Sequence, residues 1–211
     1  MNFTELIYVV PAALLAICGH EYAHGYVSWK LGDPTPEMDG RLTLNPLDHL
    51  DPMGTLALIF FHFGWAKPVR INSWYYKDRK KGVLMVSLAG VTANFLMALI
   101  GLIFMGLIYK FTGGYVSGIL LTFYNFFNYF VVLNVGLAVF NLIPIPPLDG
   151  AKTFGILFKN DETYLDSRVN MQGYVVIAVL MMTGIIGPIL RFFQTTIINV
   201  LWGFVKALLL L

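Results

Sequence analysis

The stretch FTELIYVVPAALLAICGHEYAHGYVSWKL, residues 3–31, decides how the rest of the chain is read. It is apolar over more than the ~20 residues a helix needs to cross a bilayer. Within it stand His20, Glu21 and His24 in the pattern H-E-x-x-H. On a helix, residues four apart share a face, so both imidazoles reach one point in space. The pattern suits zinc held by two histidines, with the glutamate as general base toward a water. Ionisable groups at bilayer depth are costly and mark functional sites. The reading that follows is metal-assisted hydrolysis within a membrane. A competing reading is a non-catalytic metal site used for transport or structure. That role needs no base beside the ligands, and a transporter spreads polar residues along a path.

The surroundings support a membrane setting. The chain has 211 residues, 57% hydrophobic and 12% charged, with mean hydropathy +0.70. Soluble domains carry about twice that charged fraction. The expected fold class is an all-α polytopic membrane protein with about five to six transmembrane helices of ~20 residues each. One integral-membrane domain, 1–211, is expected, with a catalytic core over about 3–150 and C-terminal helices over about 171–211. The net charge of +2 gives no footprint for nucleic acid. A lone cysteine, Cys18, rules out an internal disulfide. Residues Met1–Glu5 lack the basic start of a signal peptide, so the first segment is expected to stay as a membrane helix.

Outward from residue 31, Gly32-Asp33-Pro34 ends the first helix, which Pro11 is placed to kink. Alternation over 40–46 and again over 68–76 reads as short strands. Between them, 53–66 is apolar but shorter than a span, so a re-entrant or β-hairpin element is expected between the first and second long helices. The densest basic cluster, Lys77, Arg79, Lys80 and Lys81, follows. Longer apolar segments then run over 83–109, 118–143, 171–190 and 195–211. By the positive-inside rule, the 77–81 cluster and the loop with Lys152, Lys159 and Arg168 face the cytoplasm. The two crossings between them agree in parity; if 53–66 dips in and returns, the loop after the first helix is cytoplasmic too, and His20 and His24 lie toward the cytoplasmic half of their helix.

Hydrolytic zinc takes three protein ligands and one open position. The best candidate for the third is Asp149 in NLIPIPPLDG, residues 141–150. Pro144, Pro146 and Pro147 break the helix before it, and irregular backbone at membrane depth is tolerated where it lines a cavity. His49 and His62 read as loop or interfacial residues rather than ligands. Asn134 and Asn141 lie seven apart on one helical face, where asparagines join helices, and Asn141 is the better functional candidate for its place beside the proline break.

The chain resembles the site-2 protease family of intramembrane zinc metalloproteases in its compact form, without an appended PDZ or CBS domain. The resemblance rests on HEYAH at 20–24, GRLTLNP at 40–46, GWAKPV at 64–69, GVTAN at 90–94 and NLIPIPPLDG at 141–150. It implies one zinc per chain on His20, His24 and Asp149, with Glu21 activating the water. It also implies that Asn94, in the family's G-x-x-x-N element, helps hold the substrate backbone or the developing oxyanion; the alternative reading of Asn94 is interhelical hydrogen bonding. Compact members often carry A-G-P where this chain has Ala89-Gly90-Val91. The implied substrate is a transmembrane protein or peptide, cut near the cytoplasmic side of a prokaryotic cell membrane. Asn141 is a second expected substrate contact.

Overall fold

A computed structural model describes residues 3–51, 67–159 and 167–210. Helix α1, Phe3–Lys30, runs unbroken through Pro11. Gly32, at φ +101, ends it in a left-handed turn. Two single-turn helices follow, α2 at Thr35–Met38 and α3 at Pro46–His49.

Helix α4, Arg79–Phe111, is capped by Asp78, whose carboxylate accepts the Lys81 N–H at 3.1 Å. Arg79, Lys80 and Lys81 of the basic cluster thus form its first turn, with Lys77 just before the cap. Its 33 residues span about 50 Å, longer than a hydrocarbon core. Gly113 and Gly114, both at positive φ, turn the chain into α5, Gly118–Asn141. The proline run interrupts the helix before α6, Asp149–Phe154, which continues as a π turn over Gly155–Lys159. Helices α7, Ser167–Met182, and α8, Ile186–Leu209, complete the described chain.

Small residues let these helices approach closely, the usual basis of packing where lipid offers no hydrophobic drive. Ala12 and Ala16 on α1 are fully buried against the bundle. At Gly101 of α4 an added Cβ would meet Val131 Cγ2 of α5 at 2.8 Å. The main core joins α4, α5 and α8 through Ala98, Leu102, Val131, Val135 and Val205. A second cluster, Tyr76, Val83 and Val86, packs against Val27 and Leu31 at the end of α1.

Three expectations change. Four helices among the described residues, α1, α4, α5 and α8, are long and apolar enough to cross a membrane, where about five to six were expected over the whole chain. The expected boundary between 190 and 195 moves to 183–185, where Gly184 takes φ +71 and its N–H closes on the Met181 carbonyl. Thr195 and Thr196 do not break α8, because their hydroxyls donate back to the Arg191 and Phe192 carbonyls at 2.7 and 2.8 Å. The apolar part of α7, Asn170–Met182, is left too short for a full span.

The expected strands at 40–46 and 68–76 are also absent, and no sheet forms among the described residues. Asn45 and Asn72 instead accept the N–H groups of Leu47 and Trp74, each two residues on, at 3.2 Å. Such local bonds compete with a ladder and start helical turns at Pro46 and Ser73. The 53–66 segment and His62 lie outside the described residues.

Candidate metal centre

The two histidines of α1 meet Asp149, at the start of α6, against the flank of α4. His24 Nε2 lies 2.9 Å from His20 Nε2 and 2.9 Å from Asp149 Oδ2. The His20 Nε2 to Asp149 Oδ2 distance is 3.3 Å. Ligands about 2.0 Å from a tetrahedral zinc stand about 3.3 Å apart, so the three atoms outline one face of such a tetrahedron. All three residues are buried, at 5–6% exposure.

Hydrogen bonds behind the site fix which atoms point forward. The Asn94 amide donates to the Ala16 carbonyl at 3.2 Å and to Asn134 Oδ1 at 2.8 Å. The Asn134 amide in turn donates to the Phe130 carbonyl at 2.8 Å. Two backbone carbonyls therefore orient both carboxamides, and Asn94 Oδ1 is left to accept from His20 Nδ1 at 2.6 Å. His24 Nδ1 donates to the Val86 carbonyl at 2.7 Å. With each Nδ1 engaged behind the site, both Nε2 atoms turn toward the Asp149 carboxylate, and in the neutral imidazoles these carry the lone pairs. Three buried acceptors converging without a donor repel one another unless a cation sits among them. The donor set fits a zinc ion on chemistry as well as distance.

Local sequence explains the fit. Gly90 faces both imidazoles: an added Cβ would lie 2.5 Å from His24 Nε2 and 2.6 Å from His20 Cε1. The G-x-x-x-N spacing thus sets a gap for two rings and, one turn later, the asparagine behind one of them. Gly150 fits under the carbonyls of Leu142 and Ile143, which an added Cβ would strike, so the broken helix end folds tightly over the site. The outer oxygen of Asp149, Oδ1, receives Lys152 Nζ at 3.3 Å.

Glu21 is not grouped with the three ligand atoms. Its Oε2 accepts the N–H of Val69 at 2.9 Å, from a segment 48 residues away. The Asn94 side chain is fully buried and committed to His20, Ala16 and Asn134. Asn141 donates to the Leu137 carbonyl of its own helix at 3.0 Å rather than to a ligand.

Some residues around the site were missed from sequence. His49, read as a loop residue, is 1% exposed, with Nε2 on the Thr43 carbonyl at 2.8 Å. Asp33 is completely buried and collects donors from three places. Burial alone would raise its pKa, but N–H groups of Asn72 and Thr35 and the hydroxyl of Ser28 hold it below the usual carboxylate range. Desolvation pushes the nearby Tyr76 phenol up to about 12, against the opposing hydrogen bond with Ser28. The signal for Asp33 was the Gly32-Asp33-Pro34 turn, which reads equally well as a plain helix stop.

Comparison with known proteins agrees with this chemistry. The model of Peptidase family M50 matches residues 8–184. A Bacillus subtilis protein named "Putative zinc metalloprotease YwhC" is 35% identical over 176 residues, covering 83% of this chain and 80% of that one. "Putative zinc metalloprotease Rip2" of Mycolicibacterium smegmatis is 33% identical over 186 residues, covering 84% of this chain and 67% of that one. The Rip2 of Mycobacterium tuberculosis is 29% identical over 150 residues, covering 68% and 54%. No solved structure matches the chain.

Proposed function

The chain belongs to peptidase family M50, and from that premise we propose that it is a zinc endopeptidase cutting peptide bonds of membrane-embedded segments near the cytoplasmic side. The observation that carries this reading is the convergence of three buried lone-pair donors on a helix apolar enough to span a membrane. His20, His24 and Asp149 hold the metal. A zinc ion held there would supply polarisation of the scissile carbonyl and acidify a water for attack.

Glu21 takes the proton from that water and delivers it to the leaving nitrogen. Asn94 acts from behind: it fixes the His20 tautomer that presents Nε2 forward, and Asn134 holds Asn94 in turn. This assigns Asn94 a positioning role in place of the expected oxyanion contact. Asn141, beside the broken helix end, is the asparagine left to meet substrate. The basic first turn of α4 and the positive-inside rule support a site toward the cytoplasm of a bacterial cell membrane. A substrate helix hides its amides in its own hydrogen bonds, so the segment cut must first become extended.

The test uses purified protein in liposomes with zinc and a single-pass substrate, the cut being located by mass spectrometry. A zinc-dependent cut inside the spanning segment is expected. No cut, or cuts confined to soluble tails, would refute the proposal.

A further inference from the structure

The residues from Lys67 to Asn72 form no ladder, yet one of their N–H groups reaches the glutamate of the motif. What sets their register is therefore a question about catalysis. Lys67 N–H donates to the His49 carbonyl at 2.9 Å, and Val69 N–H to Glu21 Oε2 at 2.9 Å. Asn72 N–H donates to Asp33 Oδ2 at 2.7 Å. The same Oδ2 accepts the Ser28 hydroxyl at 2.7 Å, and Oδ1 accepts the Thr35 N–H at 3.0 Å. The Ser28 hydroxyl also meets the Tyr76 hydroxyl at 2.7 Å, tying down the far end of the segment.

We propose that Asp33 is a positioning residue that registers the 67–72 segment over Glu21. The tie to Asp33 is short and charge-assisted, and its acceptor carboxylate is fully buried, which strengthens a hydrogen bond. Arg70 also pairs with Asp39 through two bonds of 2.6 and 2.7 Å. That guanidinium is 77% exposed, so solvent screens the pair more than the Asp33 tie, and its two-bond geometry makes it a secondary anchor of the segment.

Register matters because extended chain advances about 3.3 Å per residue and successive N–H groups point to opposite sides. Sliding the segment by one residue would carry the Val69 N–H out of reach of Glu21 and turn the next N–H away. The fit continues in the side chain, since a Cβ at Gly25 of α1 would lie 3.2 Å from Val69 Cγ1. With the segment pinned, Val69 holds Oε2, and Oε1 is the oxygen left to take a proton. The inference rests on Glu21 being the general base.

The experiment uses the full chain in lipid nanodiscs, as wild type, Asp33→Asn and Asp33→Ala. Hydrogen exchange is followed in peptides covering 67–76, alongside zinc content and the kcat for a single-pass substrate. Loss of a charge-assisted bond should speed exchange at the Val69 and Asn72 amides by about tenfold or more. In Asp33→Ala, kcat should fall with zinc still bound. If that variant does not fold, Asp33→Asn, which keeps the volume and one acceptor, gives the same readouts with a smaller change.

Unaltered exchange over 67–76 overturns the proposal, as does faster exchange with unaltered kcat. A failure of Glu21 as base shows elsewhere, as cleavage by a Glu21→Gln variant whose Asp33 is intact.

Discussion

Replacing Asn94 by alanine separates two roles that the residue type alone allows. The change removes the acceptor 2.6 Å from His20 Nδ1 and the amide that donates to Asn134 Oδ1 at 2.8 Å and to Ala16 at 3.2 Å. The Ala16 carbonyl keeps its place in the ladder of α1, so two buried groups lose a partner: His20 Nδ1–H and Asn134 Oδ1. Each such orphan costs about 1–3 kcal/mol, for a total of about 2–6 kcal/mol of stability, smaller where water enters the vacated space. The imidazole is then free to change tautomer or turn. Removing such an outer partner weakens metal binding about 10–100-fold, equivalent to about 1.4–2.7 kcal/mol.

Zinc affinity, measured by competition with a chromophoric chelator in detergent, should fall by that factor. At saturating zinc the variant should recover kcat to within about tenfold, the remainder reflecting a looser His20. Loss of an oxyanion donor predicts the opposite pattern, with kcat down about 10²–10³-fold. Wild-type zinc affinity combined with such a loss of kcat would refute the positioning role.

Other outcomes follow from the same geometry. Gly90→Ala should empty the site, because its methyl group would lie 2.5–2.7 Å from atoms of both imidazoles; zinc content by atomic absorption checks this. Asp33 makes stability depend on acid. Its folded pKa is depressed, so its contribution is complete above the ordinary value of 3.8 and is lost as pH falls below that toward the folded value. Thermal unfolding between pH 3 and 5 (about one unit either side of that value) should therefore be less pH-sensitive in Asp33→Asn than in wild type. Tyr76 acts at the other extreme. Its raised pKa stabilises the fold fully below the ordinary 10.0 and loses that contribution between there and about 12, a loss absent from Tyr76→Phe.

The metal centre was legible because its parts obey local rules. His20 and His24 declare themselves by helical spacing, and Asp149 by the prolines that break the helix ahead of it. The distant pieces were not. Nothing local to Asn94 says that its oxygen faces His20, which depends on how α1, α4 and α5 pack together. The alternation at 68–76 satisfied a strand template, but Asn72 uses its side chain to start a turn and Asp33 takes its N–H. Asp33 itself lies in a turn signature that would look the same with a solvated carboxylate. The expected boundary lay at 191–194, where Arg191 and Gln194 interrupt the apolar run, and the break lies instead at Gly184. Threonine hydroxyls on backbone carbonyls and Gln194 on the Val132 carbonyl of α5, at 2.6 Å, satisfy those groups inside a helix.

The central claim is that Glu21 supplies the base beside a zinc held by His20, His24 and Asp149. Glu21→Gln removes the base and leaves the three ligands intact. One reconstituted sample of that variant, assayed for zinc stoichiometry and for cleavage of a single-pass substrate, tests the claim directly. The account predicts one zinc per chain and cleavage reduced by at least about 10²-fold, the lower range of a general base's contribution. Wild-type cleavage with zinc bound would contradict it.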